Sequence, residues 1–180
     1  MKTEEFDYYL PREAIAQTPV SPRHASRLLV YNRTSGDTSH STFEHIGEWL
    51  QPGDLLVINR TRVIPARIHA HKPTGGLIEL LLLKKLNATS WEVLIGGRRV
   101  KEGMPLQVVN GPGAIVGIDL ERPRRVVTFA EPVEPYLSIA GEMPLPPYIH
   151  TRLEDPERYQ TVYAAEPGSA AAPTAGLHFT

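Results

Sequence analysis

Between Ala66 and Ala130 the sequence breaks into six short runs of strand character: ARIHAH (66–71), LIELLLLKK (77–85), WEVLI (91–95), PLQVV (105–109), GAIVGID (113–119) and RRVVTFA (124–130). Gly, Pro, Asn or charged turns separate them. Six strands at that spacing predict a small antiparallel β-barrel. Proline supports this: 17 of 180 residues is well above the usual ~5%, which disfavours long helices and favours short strands and rigid connections.

The flanks have a different character. Met1 to Pro22 reads as an extended arm with at most one helical turn near Glu13, and its Phe6, Tyr8, Leu10 and Ile15 are expected to dock on the body. Ser26–Tyr31 reads as a strand, and Asn32–Asp37, carrying Gly36, as a turn. Ser41 or Thr42 can cap a helix whose apolar Phe43, Ile46, Trp49 and Leu50 recur at three and four, with Pro52-Gly53 as its stop. DLLVIN (54–59) then has the near-continuous apolar run of a strand buried on both faces. Residues 131–140 predict a brief amphipathic helix. The expected fold is mixed α+β: an α/β body from residues 1–65 and 131–180, with the barrel, 66–130, inserted into it.

Composition removes several function classes. The absence of cysteine excludes disulfides, thiolate nucleophiles and thiolate metal sites, and suits a reducing, cytoplasmic setting. Met1–Leu10 is polar and charged, and no run of 18 apolar residues occurs, so neither an export signal nor a membrane span is expected. A net charge of −1 gives no global pull toward polyanions; nucleic-acid binding would need a local basic patch. Candidate patches are Lys84-Lys85, Arg98-Arg99 with Lys101, and Arg122 with Arg124 and Arg125, all at strand ends. His69 and His71 fall on one strand face, but without a third ligand no metal site is expected. Thr74-Gly75-Gly76 is open to two readings, a hairpin turn or a small anion-accepting nest.

The chemistry concentrates in residues 141–180, where Glu142, Tyr148, His150, Arg152, Tyr159, Gln160, Thr161, Tyr163, Thr174 and His178 crowd a segment with little apolar periodicity. Within it Asp155, Pro156 and Glu157 supply an N-cap, a first-turn proline and a first-turn acid, predicting a short helix through Tyr163 with Tyr159 and Tyr163 on one face. Asn59-Arg60-Thr61-Arg62 follows the expected buried strand, where a loop can line a ligand crevice.

The blocks GEMPLPPYI (141–149), ERYQTVYA (157–164) and AAPTAGLHFT (171–180), with FDYYLP (6–11), IAQTP (15–19), SRLLV (26–30), PGDLLVIN (52–59) and TRVIPAR (61–67), resemble the S-adenosylmethionine:tRNA ribosyltransferase-isomerases of queuosine biosynthesis. The resemblance implies transfer of the ribosyl part of S-adenosylmethionine to an aminomethyl-deazaguanine at the tRNA wobble position. S-adenosylmethionine is then a substrate, no separate cofactor or metal is called for, and tRNA is the partner of an expected monomer. On that reading His178 and Glu142 are the catalytic candidates, His178 as base and Glu142 as partner of a substrate ammonium or sulfonium. Arg152 or Arg62 would clamp the methionine carboxylate. Tyr148, Tyr159 and Tyr163 would stack, Gln160, Thr161 and Thr174 would read base edges, and Asn59 and Thr61 would fix a ligand. Arg98, Arg99 and Lys101 would contact RNA. Arg60 stands where the family has an acid, and Leu77 where it commonly has a basic residue. The family pattern continues past the position of Thr180, so the rival expectation is a non-catalytic RNA- or nucleoside-binding fragment, and a third is a barrel interaction module without a nucleotide ligand.

Overall fold

The computed structural model describes residues 2–121 and 123–180. Arg122, part of one basic cluster, lies outside the described residues.

All six barrel strands form: β4 (Arg67–His71), β5 (Leu77–Lys85), β6 (Ser90–Gly96), β7 (Pro105–Val108), β8 (Gly113–Glu121) and β9 (Arg124–Phe129), following β1 (Arg27–Tyr31), β2 (Thr38–Thr42) and β3 (Thr61–Val63) of the flanking segment. They run in the order β4-β5-β6-β9-β8-β7, every neighbouring pair antiparallel, and β7 returns to β4 to close the cylinder. The period of two in the sequence is the cause. Ile68, Leu80, Leu82, Val93, Val116 and Val127 alternate inward and are fully shielded. Each such side chain stabilises the fold by about 1.5–3 kcal/mol relative to exposure.

The closure is incomplete along β4. Its far half pairs with β7 (Ala70 with Val108, His71 with Gln107), while its near half pairs with the two-residue β10 (Gly141–Glu142), through Gly141–Ile68 and Glu142–Arg67. The segment beyond the barrel is thereby hydrogen-bonded into the barrel wall. A single 3₁₀ turn (Glu134–Tyr136) and α1 (Leu137–Ala140) lead into β10, and Val133 and Leu137 join the barrel core while Ile139 stays exposed.

Before the barrel, the expected strand β1 (Arg27–Tyr31) forms and pairs in a hairpin with β2 (Thr38–Thr42), a strand the sequence reading did not include, with Gly36 at φ +81° in the expected turn. Further on, β3 (Thr61–Val63) pairs in parallel with β11 (Glu166–Ser169). The Thr74-Gly75-Gly76 stretch is a hairpin turn: the Lys72 amide donates to the Gly76 carbonyl and the Gly75 amide to the Lys72 carbonyl, with Gly75 at φ +81°.

Four expectations are corrected. DLLVIN is not a buried strand: Leu55 is 87% and Val57 82% exposed, because among the described residues no ladder partner reaches 55–59. The helix expected from Ser41 or Thr42 is a 3₁₀ stretch, Phe43–Trp49; the Thr42 hydroxyl donates to the Glu44 carboxylate (3.0 Å) instead of capping, and only Phe43 is buried. The Asp155 cap forms, its carboxylate accepting the Glu157 amide at 2.9 Å, but the helix is one turn, Pro156–Tyr159, because Gln160 turns extended to reach Val63. In the arm, single turns form at Thr3–Phe6 and Arg12–Ala14, and Phe6, Tyr8 and Leu10 stay exposed while only Ile15 is partly covered.

The seam at Gly141 allows no side chain. A Cβ there would collide with the Pro65 carbonyl oxygen and lie 2.6 Å from the Leu137 carbonyl oxygen, both backbone atoms. Gly141→Ala is expected to destabilise the chain by about 3 kcal/mol, measured by urea denaturation. Gly47→Ala, where the space around the added methyl is open, should be near neutral.

Candidate functional site

The chain crosses back over itself where residues 143–160 meet the N-terminal arm, and backbone carbonyls are the anchoring points. Gln17 donates from Nε2 to the Tyr148 carbonyl (3.0 Å) and accepts the His150 amide on Oε1 (2.8 Å), holding two residues of the 145–153 loop from one side chain. Arg23 donates to the carbonyls of Gln160 (2.5 Å), Glu157 (2.7 Å) and Leu177 (3.4 Å). Arg158 returns the contact, donating to the Val20 carbonyl at 2.6 Å. Gln17 and Arg23 received no role from the sequence; the signal that could have found Gln17 is its place in the IAQTP block.

Two clefts lie against this crossing. The first, about 780 Å³, is walled by Gln17–Val20 and Ser26 of the arm and by Leu145, Tyr148, Arg152, Tyr159, Thr174 and Leu177. Its size suits a nucleoside-sized ligand and its lining is mainly apolar and aromatic. Burial raises the Tyr159 phenol above the ordinary tyrosine value, while a hydrogen bond with the Ala172 backbone acts the other way. The second, about 640 Å³, runs along the barrel edge and is lined by Arg67, Ser138, Glu142, His150 and Arg152 among others.

The structure therefore brings together Tyr148, Arg152, Tyr159 and Thr174 around the first cleft and Glu142 with Arg152 at the second. Neither cleft is lined by Arg62 or His178. Arg62 is ion-paired with Glu157. His178 sits against Phe43 (centroids 5.3 Å), which also packs on Phe179 at 4.8 Å, and its Nδ1 is 3.1 Å from the Ser26 hydroxyl. Ser26 itself lines the first cleft, so His178 reaches that wall through one hydroxyl. Tyr163 packs on Phe179 and lines neither cleft.

Other candidates are engaged by the backbone. Gln160 is buried and donates to the Val63 carbonyl (2.8 Å) while accepting the Val63 amide (2.9 Å), so its amide is a bridge between β3 and the tail. Asn59 accepts the Thr61 amide on its own side chain (2.9 Å). The hydroxyls of Thr61 and Thr161 are buried without a hydrogen-bond partner among the described residues. Of the basic groups, Lys85 pairs with Glu134, Arg124 with Glu92 and Arg125 with Asp119. Arg98, Arg99 and Lys101 are exposed in the β6–β7 loop with no acidic partner among the described residues, and the Arg98 carbonyl accepts Lys72 Nζ at 3.1 Å. No group of three or more His, Cys, Asp or Glu among the described residues could hold a metal ion.

Comparison with known proteins is consistent along the whole chain. A family model described as queuosine biosynthesis protein matches residues 3–180. The S-adenosylmethionine:tRNA ribosyltransferase-isomerase of Carboxydothermus hydrogenoformans is 51% identical over 185 residues, covering 100% of this chain and 54% of that protein. The protein of the same name from Symbiobacterium thermophilum is 53% identical over 187 residues, with the same coverage of 100% and 54%. The chain thus spans about half the length of these curated relatives. A solved S-adenosylmethionine tRNA ribosyltransferase from Thermotoga maritima is 40% identical, covers 76% of this chain and 48% of that one, and superposes with a TM-score of 0.39.

Gln160→Leu should leave the buried Val63 amide and carbonyl unpaired and cost about 2–4 kcal/mol, read as a lowered urea midpoint. Tyr159 gives a pH expectation. Its folded-state pKa is raised, so its contribution is fully present below the unfolded value of 10.0 and is lost as pH rises above it. Wild type should lose stability above that pH more steeply than Tyr159→Phe, in denaturation curves taken across the alkaline range.

Proposed function

Because the chain belongs to the queuosine biosynthesis protein family, we propose that it carries the S-adenosylmethionine-binding part of a tRNA ribosyltransferase-isomerase. The reaction moves the ribosyl moiety of S-adenosylmethionine onto the 7-aminomethyl-7-deazaguanine at the tRNA wobble position and isomerises it. Epoxyqueuosine-tRNA forms, and adenine and methionine leave. S-adenosylmethionine is consumed as substrate, with no further cofactor, and the working division is a body of residues 1–65 and 131–180 around a barrel of 66–130.

The observation that carries this reading is the first cleft: a nucleoside-sized cavity of about 780 Å³ with Tyr148 and Tyr159 in its wall and Arg152 at its rim. The tyrosine rings offer faces for adenine and for the sulfonium charge. The Arg152 side chain has no protein partner among the described residues and is open to fork onto the methionine carboxylate. Arg62, the alternative clamp, is already paired with Glu157, which favours Arg152. His178 keeps its role as the base that takes a proton beside the sulfonium, acting at the cleft wall through the Ser26 hydroxyl. The unpaired Arg98, Arg99 and Lys101 supply a phosphate-tracking patch for tRNA.

A second reading is favoured by the exposed Leu55 and Val57 together with the half-length match to the relatives: the chain binds nucleoside and RNA without turning over. Adenine release from S-adenosylmethionine in the presence of precursor tRNA separates the two, since only a catalytic chain liberates the base.

Titration calorimetry with S-adenosylmethionine tests the binding site. Tyr148→Ala and Arg152→Ala should each weaken binding about tenfold or more; no heat of binding with the unsubstituted chain would refute the site. Reversing Arg98 and Arg99 to Glu should weaken tRNA binding and flatten its salt dependence; unchanged binding would remove the patch from the reading.

A further inference from the structure

The loop that carries Tyr148 and Arg152 to the first cleft has little with which to hold itself. Pro144, Pro146 and Pro147 offer no amide. Its internal backbone bonds among the described residues run from the Leu145 amide to the Met143 carbonyl (2.9 Å) and from the Ile149 amide to the Pro146 carbonyl (3.0 Å). Past His150, no protein hydrogen bond among the described residues reaches the backbone of residues 151–154. The loop is therefore suspended from outside: Arg67 of the barrel wall donates to the Leu145 carbonyl (3.2 Å), and Gln17 of the arm takes the Tyr148 carbonyl and the His150 amide. Gln17 supplies the last fixed point before Arg152.

Packing holds the Tyr148 ring only in part, since the residue is 53% exposed, whereas Tyr159 in the same wall is 8% exposed. Where the Tyr148 ring stands consequently follows from its backbone, and the backbone follows from Gln17. The Gln17 amide is fully engaged in this. Oε1 accepts from His150, and Nε2 donates to the Tyr148 carbonyl and to the Ile15 carbonyl (3.3 Å), which leaves no donor for a ligand. The arm itself is secured separately, by Arg158 on the Val20 carbonyl and by Arg23 on the carbonyls of Glu157 and Gln160.

We propose that Gln17 is a positioning residue for the first cleft: it holds the 145–153 loop in the conformation that puts Tyr148 in the cleft wall and Arg152 at its rim, and sets affinity for the nucleoside through them. This rests on the reading of the first cleft as the S-adenosylmethionine site. Without Gln17 the loop occupies that conformation for only a fraction of the time, and the apparent affinity falls by that fraction. Loss of two neutral hydrogen bonds is enough to bring the fraction to about a tenth.

The test is a double-mutant cycle on S-adenosylmethionine affinity by titration calorimetry, with amide hydrogen exchange on the same chains. Gln17→Met keeps the length of the side chain and removes both bonds; it should weaken binding about tenfold. The His150 amide should then exchange faster, while the barrel amides of Val116 and Phe129, bonded to the Met104 and Thr89 carbonyls, keep their protection. In a Tyr148→Ala chain the same substitution should cost about threefold or less, because the ring it positions is gone. Gln107→Met removes an amide that bonds the Val108 and Gly111 carbonyls of its own turn, and should leave affinity within about twofold. Unchanged affinity in Gln17→Met, an equal cost with and without Tyr148, or loss of barrel protection together with that of His150 overturns the positioning role and leaves the first cleft as the S-adenosylmethionine site. Absence of S-adenosylmethionine binding by the unsubstituted chain overturns that underlying reading and this one with it.

Discussion

The structure depends on where the chain leaves the barrel. A barrel strand with half of its outer edge unpaired would expose backbone donors and acceptors. Here the gap along β4 at Arg67–Ile68 is filled by Gly141–Glu142, the first residues after α1. The approach brings three backbones together, β4's lead-in at Pro65, the end of α1 and β10 itself, and glycine is the residue that fits. Just beyond that point Glu142 lines the barrel-edge cleft, and residues of the 145–153 loop line it as well.

The arm and the tail are joined by a different kind of contact. Arg23, Gln17 and Arg158 donate to main-chain carbonyls, and Gln160 bonds both polar groups of Val63. Carbonyl acceptors are indifferent to side-chain identity at the receiving end. Such bonds fix the path of a segment without constraining which side chains it displays into the clefts. A proline-rich tail that cannot build its own hydrogen-bonded ladder needs donors of this sort from elsewhere in the chain.

The barrel was legible because its signal is local: period-two burial and turn residues in β4 to β9 are written in each run separately. DLLVIN failed for the same reason in reverse. Its apolarity shows that something should cover it, but whether a neighbour is present is not a property of the run, and Leu55 and Val57 stand in solvent. The short helices failed because cap and proline signals mark a start, whereas the end at Tyr159 is dictated by Gln160 reaching Val63, 97 residues away. For the site, the chemistry-rich tail was readable by composition. The division of its members was not: Gln160 and Tyr163 carry the same polar and aromatic labels as Arg152 and Tyr148, and only packing shows that the first two bridge and pack while the others face a cleft.

Charge follows the same logic of position over composition. The net charge of −1 predicts no attraction to a polyanion. Along the barrel, Lys85, Arg124 and Arg125 are cancelled by Glu134, Glu92 and Asp119, so their field falls off within a short distance. The β6–β7 loop carries Arg98, Arg99 and Lys101 against the single acid Glu102, and Lys72 is drawn to it through the Arg98 carbonyl. From Arg67, beside Glu142, to Lys72 the strand rises about 17 Å. The excess of cations therefore lies at the Lys72 end of β4, while Glu142 at the other end shares its cleft with Arg67 and Arg152. On the reading proposed above, that local excess is what an electrically near-neutral chain would offer to a polyanion.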